Sequence, residues 1–81
     1  MEKKQISAII SKIIVNINSS FERYNEDSDL FAEGILDSFS LMQLVMHLDE
    51  SFRIEIDADD IVPENFSTLR NISSLVKRYT H

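Results

Sequence analysis

A chain of 81 residues with a single glycine, Gly34, and a single proline, Pro63, has little of the material that tight turns consume. Strand-rich folds need such residues at every reversal, so the scarcity favours helices. Two separate cores would leave each half below the size that folds unaided. Apolar residues make up 43% and charged residues 27%, the balance of an ordinary soluble domain able to fill one core. We therefore expect residues 1–81 to form one all-α domain.

The apolar periodicity places the helices. Ile6, Ile9, Ile10, Ile13, Ile14 and Ile17 recur at helical spacing over residues 3 to 17 and predict a first helix. Their β-branched side chains lower intrinsic helix propensity, so packing must hold this element. Residues 18 to 37 read as a long, mostly irregular connection, with Phe21, Tyr24, Leu30, Phe31, Ile35 and Leu36 as anchors lying over the core. A second helix starts at Asp37-Ser38; either side chain could cap it. Residues 53 to 67 form a connector, in which Pro63 to Phe66 make one short helical turn with Pro63 in its favoured first position. The last helix runs from about Thr68 to Tyr79, with Leu69, Ile72, Leu75, Val76 and Tyr79 on one face and Lys77 and Arg78 in its last turn, where cations complement the helix dipole. The expected fold is a small four-helix bundle of three longer helices and one short one, with a long loop between helices 1 and 2.

Helix 2 carries more apolar surface than a bundle needs. At about 100° per residue from Ser38, Leu41, Leu44, Val45, Leu48 and Phe52 fall in one sector that suits the core. Phe39, Met42 and Met46 form a second stripe well away from it. An amphipathic helix needs one apolar face, and methionine is adaptable where one surface must fit several partners. The stripe reads as an interaction surface; the alternative is that Phe39 or a methionine folds back onto the preceding loop.

Charge is unevenly spread. Residues 26 to 64 hold twelve Asp and Glu against one cation, Arg53, a local net of −11, while the two flanking segments are net basic. Such a middle repels nucleic-acid phosphates and anionic membranes and speeds association with basic protein surfaces. No segment approaches the run of roughly 20 apolar residues that a membrane span needs. Cysteine is absent, which excludes a disulfide framework and thiol chemistry by the chain itself. We expect a cytoplasmic monomer that binds no nucleic acid and inserts in no membrane.

Enzyme chemistry finds no footing. Ser38 lacks a base: His47 lies nine residues on, about half a turn around the same helix, and nucleophile and base must meet within hydrogen-bond reach. Asp57, Asp59 and Asp60 begin like a calcium loop, but the glycine and glutamate such a loop needs do not follow. Ser38 can instead be a simple helix cap or a modification site, since a phosphate is favoured at a helix N-terminus.

The residues Asp29-Leu30-Phe31, Gly34 and Asp37-Ser38-Phe39, the register Leu41, Leu44, Val45, Met46, Leu48 and Phe52, then Ile54-Glu55-Ile56, Asp57 to Asp60 and Phe66 to Leu69, together resemble the acyl carrier protein family, including peptidyl and D-alanyl carriers. The resemblance implies a carrier holding acyl or aminoacyl groups as thioesters on a 4′-phosphopantetheine arm. A transferase would take the arm from coenzyme A and attach it to Ser38, with Asp37 helping that enzyme recognise the serine. Phe39, Met42 and Met46 would press into partner enzymes, and Asp49 and Glu50 would meet their cations. Those partners would be the phosphopantetheinyl transferase, an acyl- or aminoacyl-loading ligase and a downstream transferase or synthase. Phe39 stands where the family usually has leucine, and Ser40, Gln43 and His47 depart from fatty-acid-synthesis carriers. These departures lean toward a dedicated carrier of an amino acid or specialised acyl group. The competing reading is an unmodified helical interaction module that uses the Phe39, Met42 and Met46 surface.

Overall fold

The computed structural model describes residues 2–80. Its helices are α1 (Lys3–Ile17), α2 (Ser38–Phe52), α3 (Pro63–Phe66) and α4 (Leu69–Tyr79). No strand occurs among the described residues, so the expected arrangement of three longer helices and one short one is the one that forms.

The core follows from the periodicities. Ile6, Ile10 and Ile14 of α1 are fully buried, and Ile9, Ile13 and Ile17 flank them half-buried. Leu44, Val45 and Leu48 of α2, Phe66 of α3, and Leu69, Ile72, Leu75 and Val76 of α4 complete the cluster. The α1 helix packs against both α2 and α4. One buried polar residue sits among them: the Ser73 hydroxyl donates to the Leu69 carbonyl at 2.8 Å and lies 2.8 Å from the Ser7 hydroxyl. With one proton each, Ser7 must donate to Ser73. Two small side chains thus join α1 to α4, and no buried side-chain nitrogen or oxygen among the described residues is left unpaired.

The long connection is more ordered than its polar sequence suggests. It opens with a 3-10 turn at Ser19–Arg23, capped by the Asn18 side chain. Phe21, Leu30, Ile35 and Leu36 are buried and Tyr24 and Phe31 pack on the core, as a covering loop requires. Asp29 accepts from the N–H groups of Phe31 and Ala32, and the Leu30 carbonyl receives those of Ile35 and Leu36. Gly34 closes this turn at φ 76°, a backbone state that costs glycine little. The Leu30 N–H donates to the Ser67 carbonyl at 2.7 Å and the Arg70 N–H to the Glu26 carbonyl at 3.0 Å. Arg70 adds ion pairs to Asp27 and Glu26. The loop is therefore stapled to the α3–α4 junction, which fixes the entry of the chain into α2.

Candidate functional site

Both expected site residues at the head of α2 lie at the protein surface. Asp37, in extended backbone, is the N-cap: its Oδ1 accepts the Ser40 N–H at 2.9 Å, and the Ser40 hydroxyl accepts the Asp37 N–H at 2.8 Å. This reciprocal box satisfies donors that a helix start otherwise leaves free. The backbone N–H of Ser40, followed by its hydroxyl, holds the Asp37 carboxyl below the ordinary carboxylate range, so it stays ionised at neutral pH.

Ser38 is the first residue of α2. Because Asp37 and Ser40 cap the helix, the Ser38 hydroxyl is not needed for it, and it makes no hydrogen bond to any described residue. The positive end of the helix dipole lies at this position, where a phosphate group is stabilised. The residues fit a phosphodiester-linked group: the oxygen is free, it faces solvent, and the backbone beneath it is locked. Sequence reasoning left the cap open between Asp37 and Ser38 and overlooked Ser40. The available signal was its position three residues after Asp37, where capping boxes carry their return partner.

Phe39, Met42 and Met46 are 74%, 56% and 54% exposed. None is among the residues packed against the core, and their spacing places them on one apolar strip running down α2 from Ser38. Glu50 is exposed beyond it. Asp49 is only half-buried, and its Oδ1 accepts the Ile56 N–H at 3.1 Å. That carboxylate holds the connector to α2 with one of its two oxygens. His47 is exposed on another part of the same helix, and His81 lies outside the described residues. Among the described residues no cluster of three or more His, Cys, Asp or Glu could hold a metal ion, and no helix is long and apolar enough to cross a membrane.

The acidic connector is also fastened. Asp57 caps a 3-10 turn at Ala58–Asp60. The Tyr79 hydroxyl donates to the Asp60 carboxylate and accepts the Asp57 N–H at 3.1 Å. The bond to Asp60 pushes the Tyr79 hydroxyl above its usual range.

Comparison with known proteins bears on this arrangement. The family described as "Phosphopantetheine attachment site" matches residues 6–76. The D-alanyl carrier protein of Lactococcus lactis subsp. cremoris is 34% identical over 80 residues, covering 96% of this chain and 95% of that protein. That of Lactococcus lactis subsp. lactis is 32% identical over 77 residues, covering 93% and 91%. That of Bacillus mycoides is 32% identical over 66 residues, covering 82% and 80%.

Proposed function

The chain belongs to the phosphopantetheine-attachment family and is a carrier protein that holds groups on a covalent 4′-phosphopantetheine arm; on that footing we propose that the arm is attached at Ser38 and that the cargo is an amino acid, D-alanine. When bound, the arm supplies the thiol that the cysteine-free chain lacks, and that thiol carries the cargo as a thioester. The protein's own residues provide the mount. Asp37 and Ser40 lock the start of α2, Ser38 offers an uncommitted oxygen, and the ionised Asp37 carboxylate beside it gives the transferase a charge to recognise.

The observation that carries the attachment site is the division of labour between Asp37 and Ser38. A serine that merely capped α2 would spend its oxygen on a backbone N–H; here Asp37 does that work. The cargo rests on the similarity to three D-alanyl carrier proteins. An ATP-dependent ligase would load the arm and a downstream transferase would unload it. The chain would work as a monomer in the cytoplasm, where coenzyme A and ATP are both at hand. Phe39, Met42, Met46, Asp49 and Glu50 would meet these enzymes.

Incubating the protein with coenzyme A and a broad-specificity phosphopantetheinyl transferase, then measuring intact mass, tests the attachment. One arm per chain is expected on the native protein and none on Ser38→Ala. An arm on the Ser38→Ala protein, or none on the folded native protein, would overturn it. Loading the armed protein with D-alanine rather than a fatty acid then tests the cargo.

A further inference from the structure

At the far end of α2 from Ser38, one residue sits in a conformation its side chain resists. Arg53 caps the helix at φ 54°, ψ 50° and is the only non-glycine residue with positive φ among those described. The left-handed state is a place for glycine or asparagine, and a longer side chain is strained there. At Gly34, by contrast, the chain meets the same demand with glycine. Arg53 is exposed, and its guanidinium pairs with no described residue: both ion pairs among them belong to Arg70. It is also the one cation between residues 26 and 64.

The neighbouring charges sharpen the pattern. Sequence alone suggested two acids at this end of the docking strip. Asp49, however, turns one carboxylate oxygen to the Ile56 N–H. The exposed charges of α2 past Met46 are then a dipolar pair, Glu50 negative and Arg53 positive, about one helical turn apart. A strained, solvent-facing cation whose guanidinium makes no hydrogen bond or ion pair with a described residue is a candidate for function.

We propose that Arg53 is a specificity-determining residue for the loading ligase, which would present a carboxylate to it beside a cation for Glu50 and an apolar pocket for Met46. This deepens the function proposed above and rests on it. A ligase surface that is basic throughout, suited to a uniformly acidic helix, would meet Arg53 as a like charge; rejection of the wrong partner follows from the same contact. The alternative is that Arg53 only complements the C-terminal end of the helix dipole, a stabilising role that loading kinetics would not register.

The test uses the full-length, arm-bearing protein and the D-alanine-activating ligase of its own host, with D-alanine and ATP. Arg53→Gln keeps the strain and removes the charge; Arg53→Gly removes both. In each variant the KM for carrier should rise about three- to ten-fold with kcat unchanged, the range expected for losing a rim charge pair. Raising salt should shrink the difference. Thermal unfolding supplies the second readout. Arg53→Gly should melt no lower than the native protein, and up to about 5 °C higher, because strain is relieved. Binding and stability would thus move in opposite directions. Native protein that loads, with unchanged KM in both variants, would overturn the role of Arg53 alone. Native protein that is never loaded with D-alanine would overturn the cargo and this inference with it.

Discussion

Asp37 and Ser38 stand side by side with opposite commitments. Asp37 is tied into α2 by the Ser40 N–H; the Ser38 hydroxyl bonds to nothing in the described chain. Ser38→Ala should therefore leave the unfolding midpoint unchanged while abolishing the arm, as calorimetry and mass spectrometry together would show. For Asp37 the folded carboxyl titrates below its usual value of 3.8, so its contribution is full above that pH and is lost as pH falls through the lower, folded value. Asp37→Asn keeps a capping acceptor but cannot titrate. Its stability should fall less steeply than the native protein's when urea melts are compared below about pH 4. The sequence made an Asp-Ser helix start legible but not which side chain capped it. Both are short acceptors, and the answer depended on Ser40, an uncommon return partner for a capping box.

An element such as α2 has to satisfy two surfaces at once. Leu44, Val45 and Leu48 are buried, and Leu48→Ala should cost about 2–5 kcal/mol, a large share of a small domain's total stability. Met46→Glu lies on the exposed face and should change stability by less than about 0.5 kcal/mol, yet weaken loading by the ligase. A denaturant midpoint set beside a loading rate separates the two. The angular sorting of α2 was readable because side-chain direction follows residue number in a helix. What escaped it were contacts between elements. Ser73 is buried because Ser7 reaches it, Asp49 turns to Ile56, and Tyr79, assigned to the core face of α4, sends its hydroxyl to Asp57 and Asp60. Polar partners distant in sequence leave no periodic trace. Tyr79→Phe should accordingly loosen the acidic connector, seen as faster hydrogen exchange at the Asp57 N–H with little change in the core.

Across the whole molecule, charge is divided between an acidic middle and net basic flanking segments. Association with a cationic partner should slow as salt rises past about 0.15 M, where exposed charges are screened beyond roughly 8 Å; stopped-flow binding at several ionic strengths would measure it. The helical class was readable from scarce turn residues and clear periodicity. The loop's order was not: its backbone bonds to Ser67 and Arg70 join segments about forty residues apart. The spare oxygen of Ser38 has a consequence at this scale. On the attachment proposed above, a fold that owes nothing to that hydroxyl would have nothing to release on esterification, and so would keep no internal memory of whether it had been armed. Enzymes that must tell the two forms apart would then have to inspect the appendage itself, and the protein could be recharged repeatedly without resetting its own shape.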